Sequence, residues 1–312
     1  MRKRLDAIFL KTIFSATAEE EVRGTVSKPS RFFMEKLKVN LHVTEKCNYQ
    51  CRYCFAHFGN KKDLSLSAWQ KIVDNISSSG LVDAINFAGG EPLLYSDFVP
   101  FFLLCHNRGF ALSIISNGSL LQNKNLFPPS LFAMLDTLGI SIDSFSADTL
   151  RSLGCCTRSG KILGQQDFQE ILRLALSVNP NLKIKINTVV SSVNANEMFP
   201  AFVHELALAR WKFLKIKPFS GYGKNNGSLL VSEEQFDSFC RRNMPKTGIG
   251  VAERDMKNSY IIIDNQGNLL DSSSLSYSVV GNLLEESFED ILNRFSFDKE
   301  EYGQRYGKKK EI

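Results

Sequence analysis

The sequence predicts an α/β protein: a partial (β/α)6 barrel of the TIM type, with a short N-terminal leader and a C-terminal extension. Three observations lead to that class. Short runs rich in branched residues alternate six times with amphipathic segments, the pattern of parallel strands joined by crossover helices. The 312-residue chain is 43% hydrophobic, enough for one large core. The residues best suited to chemistry follow the C-terminal ends of predicted strands, where a barrel collects its active-site loops.

In chain order, residues 38–43 (KVNLHV) alternate and are rich in branched side chains, which makes them the first strand. Ser67 can cap a helix running to about residue 78, with Trp69, Ile72, Val73 and Ile76 on one face. Residues 84–87 (AINF) form a second strand, 98–105 a helix that stops near Gly109, and 110–115 a third strand ending in SNGS. A fourth strand spans 138–142. Helical spacing at 168–178 leads to a fifth strand at 182–190, then a helix at 197–208 and a sixth strand at 211–216. Farther on, Ser232 starts a helix, and 259–264 with 268–270 form a hairpin around NQG at 265–267. A short helix at 288–295 precedes the basic run Lys308 to Lys310. The organisation is a leader over 1–34, disordered or amphipathic, a barrel over 35–220 and an extension over 221–312.

Charge and cysteine usage narrow the class. A net charge of +5 with dispersed basic residues points away from nucleic acid and suits a small anionic ligand. Seven cysteines without regular spacing fit a reducing compartment, so a cytoplasmic location is expected; the chain is also expected to be a monomer. The start MRKR followed by AIFL has the look of a signal peptide, but Asp6 and Lys11 interrupt an apolar stretch too short to span a membrane. No stable membrane insertion is expected.

The chemistry centres on Cys47, Cys51 and Cys54, three thiols from one short loop with a fourth position unfilled. They suit a [4Fe–4S] cube with one iron open to an outside ligand. They also suit a zinc-stabilised binding module with His57 as fourth ligand. Thirty-five residues past Cys54, the AINF strand runs into Gly89, Gly90, Glu91 and Pro92. Paired glycines admit close backbone approach, Glu91 offers an acceptor for an ammonium group, and Pro92 stiffens the exit. Cys105, Cys155, Cys156 and Cys240 form no second close cluster and read as structural.

A three-cysteine loop followed by one helix, one strand and GGEP resembles the radical S-adenosylmethionine (SAM) enzymes. The resemblance implies a [4Fe–4S] cluster on the three cysteines, with the open iron chelating the amino and carboxylate groups of SAM. It also implies an external one-electron reductant, flavodoxin- or ferredoxin-like, and cleavage of SAM to a 5′-deoxyadenosyl radical. It assigns Tyr53, Phe55, Gly89, Gly90 and Glu91 to the cofactor, together with Asn117, Ser119, Ser141 and Arg158.

More specifically, CNYQCRYCF (47–55), INFAGGEP (85–92), ISNGSL (115–120) and ISIDSF (140–145) are similar to consecutive motifs of the viperins. So are KIKIN (183–187), RWK (210–212) and MKNSYIIID (256–264), outside the cofactor half. The prokaryotic branch is implied. Viperins convert a ribonucleoside triphosphate to its 3′-deoxy-3′,4′-didehydro analogue, a chain terminator, which implies antiviral or anti-phage defence with CTP favoured and UTP next. The resemblance has the C-terminal extension complete the nucleotide site. It places Asn40, Lys185, Asn187, Arg210, Lys212 and Lys215 at the nucleotide and makes Tyr260 the catalytic tyrosine near the sugar. Strand alternation independently puts Lys183, Lys185 and Asn187 on one face. Two departures stand out: Ala84 replaces a phosphate-contacting lysine of the animal proteins, and Ala88 a serine. The Lys308 to Lys310 tail is a candidate to replace the lost contact. A radical SAM enzyme for another small molecule or a peptide is the main alternative.

Overall fold

Alternation along the strands separates the two faces of the sheet. β1 (Leu37–His42), β2 (Val82–Ala88), β3 (Ala111–Ser116), β4 (Thr137–Ser141), β5 (Lys183–Val190) and β6 (Leu208–Lys215) pair in that order, all parallel. On one face lie Val39, Leu41, Ile85, Phe87, Leu112, Ile114, Ile184, Ile186, Trp211 and Phe213, all buried. On the other lie Lys38, Asn40, Asn86, Ser113, Thr137, Lys185, Asn187 and Lys212. A parallel sheet covered on both faces would be apolar throughout. Here one face packs on helices and the other is a polar concavity, as the barrel reading expects.

The computed structural model describes residues 36–54, 62–218, 220–221, 224–253, 260–273, 277–296 and 302–303. The leader, Phe55, His57 and the run Lys308 to Lys310 lie outside the described residues. Among those described, no helix is long and apolar enough to cross a membrane.

The helices are α1 (Leu66–Ser78), α2 (Phe98–Asn107), α3 (Ala147–Leu153), α4 (Gln165–Val178), α5 (Ala201–Glu205), α6 (Glu233–Asn243) and α7 (Phe288–Arg294). The cap of α1 is Ser65, not Ser67: its hydroxyl accepts from the Ala68 N–H at 3.3 Å, the reach available to the residue just before the first turn. The helix expected over 197–208 contracts to α5. Pro200 disfavours helical geometry in the residue before it, so the helix begins only afterwards.

The chain beyond 221 adds to both edges of the same sheet. β7 (Ser220–Gly221) and β8 (Lys224–Asn225) form a separate small ladder, and β9 (Gly248–Glu253) then pairs parallel to β6. β10 (Ile261–Ile263) pairs parallel to β1 and forms the expected hairpin with β11 (Asn268–Asp271), which β12 (Ser278–Asn282) borders. Eight strands are therefore parallel, from β10 through β1 to β6 and β9. β9 and β12 carry no clear strand signal in the sequence. Gly248, at φ +90°, approaches β6 so closely that a Cβ would meet the Leu208 carbonyl oxygen at 2.1 Å.

Behind the sheet, the Phe87 ring sits 5.5–5.6 Å from the rings of Phe98, Phe101 and Phe102. All four are buried. Phe87→Ala is expected to lower unfolding free energy by about 3–5 kcal/mol, the range for emptying such a site, read as a fall in the denaturant midpoint.

Candidate active site

The cysteine loop leaves β1 and is fastened on two sides. On the first, Val43 N–H donates to Ala88 O at 3.1 Å, Gly90 N–H to Thr44 O at 2.7 Å and Glu91 N–H to Lys46 O at 2.7 Å. A Cβ on Gly89 would lie 2.4 Å from the Thr44 oxygen and one on Gly90 2.2 Å from that of Lys46. The close approach these glycines permit is thus between two stretches of the chain itself. On the second side, Gln50 N–H donates to Gly154 O at 3.0 Å and Arg52 N–H to Leu153 O at 2.9 Å. Gly154 closes α3 at φ +74°, and a Cβ there would meet Gln50 O at 2.3 Å.

Glu91 is fully buried. Its Oε1 accepts from Ser116 Oγ at 2.9 Å and from the Leu93 N–H at 3.4 Å, and its Oε2 from the Asn117 N–H at 2.9 Å. Burial outweighs these bonds and pushes its pKa up to about 7. The SNGS turn after β3 then reaches back to the loop. Asn117 Nδ2 donates to Asn48 Oδ1 at 2.9 Å, Asn48 Nδ2 to Ser119 Oγ at 2.8 Å, and Ser119 Oγ to Asn117 Oδ1 at 2.6 Å.

A cleft opens here, lined by Cys51, Tyr53, Asn117, Ser141, Asp143 and Cys155, among others. Arg158 does not line it: it is exposed on the turn in which Thr157 N–H donates to Lys161 O at 2.8 Å. The sequence did not place Asp143 or Cys155 in the site, and Cys155 read there as structural. Asp143 accepts from the Val189 N–H at 2.7 Å and from the Tyr53 hydroxyl, and burial pushes its pKa up to about 7. The Cys155 sulfur lies 3.7 Å from that of Cys51 and 3.1 Å from the Tyr53 oxygen. Asp143 stands inside the ISIDSF run and was readable there; the approach of Cys155 depends on a contact across 104 residues.

The donor set fits a [4Fe–4S] cluster. Burial pushes the Cys47 thiol up to about 12, so a thiolate there needs a cation beside it. Its sulfur already receives the Tyr49 N–H at 3.4 Å and faces Asn117 Nδ2 at 3.8 Å, donors of the kind that stabilise cluster thiolates. Among the described residues no three His, Cys, Asp or Glu side chains converge as a single ion requires.

The nucleotide-side candidates gather on the polar face. Cα register aligns Ser141 with Asn187 and Asn187 with Lys212, and Lys185 with Arg210. Lys212 Nζ lies 2.6 Å from Glu253 Oε1 and donates to the Tyr260 hydroxyl at 2.9 Å, which in turn donates to Glu253 Oε2 at 3.2 Å. Glu253 comes from β9, which the sequence did not reveal. Asn40 accepts from Asn86 Nδ2 at 2.9 Å and donates to Ile261 O at 3.3 Å. Lys215 is not part of this group. Three residues on from Lys212, it falls on the opposite strand face and pairs with Glu233 at the start of α6.

Both buried carboxylates have folded-state pKa values above their ordinary ones, about 7 against 4.5 for Glu91 and 3.8 for Asp143. Their contribution to stability is complete at low pH and is lost as they ionise. Cofactor-free protein is therefore expected to lose stability as pH rises from about 4 to about 7. Glu91→Gln should make that slope shallower in denaturant titrations across the range.

Comparison with known proteins agrees with this geometry. The Radical SAM superfamily model matches residues 41–206. An S-adenosylmethionine-dependent nucleotide dehydratase of Selenomonas ruminantium is 50% identical over 86% of this chain and 98% of its own length. One from Fibrobacter sp. (strain UWH6) is 31% identical over 88% and 89%. The RSAD2 protein of Oncorhynchus mykiss, with the same descriptive name, is 28% identical over 86% and 79%. Among solved structures, anSMEcpe with bound AdoMet and a peptide superposes with a TM-score of 0.63 over 86% of this chain and 84% of that one, at 14% identity, which shows the shared fold. The chain belongs to the radical SAM superfamily, with its [4Fe–4S] cluster and SAM, and within it to the viperin family of S-adenosylmethionine-dependent nucleotide dehydratases.

Proposed function

We propose that the chain removes water from a ribonucleoside triphosphate, CTP first and UTP next, to give the 3′-deoxy-3′,4′-didehydro nucleotide. One observation carries most of the weight. Lys185 is half-buried on the polar strand face, and the charges that act on it are those of Lys38, Arg210, Lys212 and Lys183. Burial, then these like charges, lower its pKa to about 7. Lys212 is already paired with Glu253, but no carboxylate is among the charges acting on Lys185, and a cation so placed is costly unless an anion joins it; a triphosphate meets that need. The name shared by the relatives points the same way.

When bound, the cluster and SAM supply a 5′-deoxyadenosyl radical after an external flavodoxin- or ferredoxin-like protein donates one electron. Loss of the C4′ hydrogen atom, then of the 3′-hydroxyl as water with one added proton and one further electron, leaves the C3′–C4′ double bond. In this reading Asn117, Ser119 and Ser141 orient SAM in the cleft. Asn187, level with both Ser141 and Lys212, holds the sugar between cofactor and phosphates. Tyr260 delivers the proton, its hydroxyl kept in place by Lys212 and Glu253. A nucleotide without a 3′-hydroxyl cannot be extended by a polymerase, which suits antiviral or anti-phage defence.

Anaerobic incubation of the cluster-loaded protein with SAM, reductant and each nucleoside triphosphate tests the reading. A product lighter by one water, with 5′-deoxyadenosine formed only alongside it, is expected; SAM cleavage indifferent to nucleotides would overturn it. Lys185→Met is expected to raise the triphosphate KM about 10–100-fold, the effect of losing a charged hydrogen bond. Because Lys185 is cationic only below a pKa of about 7, wild-type affinity should fall as pH rises through neutrality, and the variant should lose much of that dependence.

A further inference from the structure

Lys38 has entered the site so far only as one of the charges that act on Lys185. It lies two residues before Asn40 and so projects from the same polar face of β1. Its Cα partner on β2 is Ala84, whose own partner on β3 is Ala111. Two methyl groups therefore leave the floor of the sheet beside Lys38 open. The Lys38 side chain is half-buried, and its ammonium makes no ion pair or hydrogen bond among the described residues. Burial is the main reason its pKa falls to about 8, with Asp136 and Asp83 raising it and Lys183 and Lys212 lowering it. After burial, Lys38 is the foremost influence on Lys185, ahead of Arg210, Lys212 and Lys183. β1 and β5 are separated by three intervening strands, so only the curvature of the sheet brings these two ammonium groups into each other's field.

We propose that Lys38 is a further substrate-binding residue, which meets the terminal phosphates of the nucleotide from the β1 side, opposite Lys185, Arg210 and Lys212. The inference rests on the nucleotide reading above. It deepens that reading by making phosphate number a determinant of affinity, read in part by a strand otherwise occupied with carrying the cysteine loop. Cations on β1, β5 and β6 would hold the polyphosphate across the concavity. Asn40, one step farther along β1, lies toward the end at which the cysteine loop begins.

The test uses anaerobic, cluster-loaded protein with SAM bound, titrated with CTP, CDP and CMP. Wild type should bind the triphosphate far more tightly than the monophosphate. Lys38→Met should weaken CTP about 10-fold or more and leave CMP within about two-fold, while Lys38→Arg retains most of the CTP affinity. Unchanged CTP affinity in Lys38→Met would overturn the proposal, and so would an equal loss for all three nucleotides. A second measurement needs no variant: acylation of Lys38 in wild type, followed by peptide mass spectrometry, should slow several-fold with CTP and not with CMP. Equal labelling with and without CTP would overturn the proposal independently. Failure of wild type to bind any of the three nucleotides would instead remove the reading on which it rests.

Discussion

Residues 43–54 have no regular structure of their own, and their course depends on backbone approaches that only glycine permits. Gly89 and Gly90 press against the start of the cysteine loop, and Gly154 against its middle. In each case the atom a methyl group would strike is a backbone oxygen, at 2.2–2.4 Å. No side-chain rotation relieves a clash of that kind, so the residue type is dictated by the main chain rather than by a ligand. The thiols acquire a fixed relation to the cleft, and with it the reactive end of anything held there. Glu91 extends the same fastening, joining the end of β2 to the turn after β3 through bonds to Ser116 and Asn117.

The sheet carries a second constraint. Its helix-facing side is a continuous aromatic and aliphatic layer, in which Trp211 lies 5.0 Å from both Phe199 and Phe213. Its other side holds amides, hydroxyls and ammonium groups. Stability is concentrated on the first face, which lets the second tolerate cations such as Lys185 whose charges oppose one another. Strands that serve as core on one side and as binding surface on the other tie the chemistry to the most rigid part of the molecule.

Much of this was legible in the sequence because it is local. The spacing of Cys47, Cys51 and Cys54, the strand before Gly89 and the alternation of KIKIN are properties of a few adjacent residues. Parity also separates Lys212 from Lys215, a distinction that grouping basic residues by motif overlooks. What stayed hidden is non-local. β9 is marked by glycines and wins its place through pairing with β6, and Glu253 arrives at Lys212 only with it. Cys155 meets Cys51 because Gly154 turns the end of α3 against the loop. The significance of Lys38 follows from the bending of the whole sheet, which no window along the chain records.

The pairing of β10 with β1 has a bearing on how the protein is made. β1, which delivers the chain into the cysteine loop, has β2 on one side and β10 on the other. Ile261, Ile262 and Ile263 are synthesised more than two hundred residues after their partners Val39, Asn40 and Leu41. Until they emerge from the ribosome, the strand that leads into the cysteine loop has a bare edge, open to pairing with other chains. The sheet beneath the cysteine loop is thus complete only in the last stage of synthesis, and the nascent chain has reason to be shielded until then.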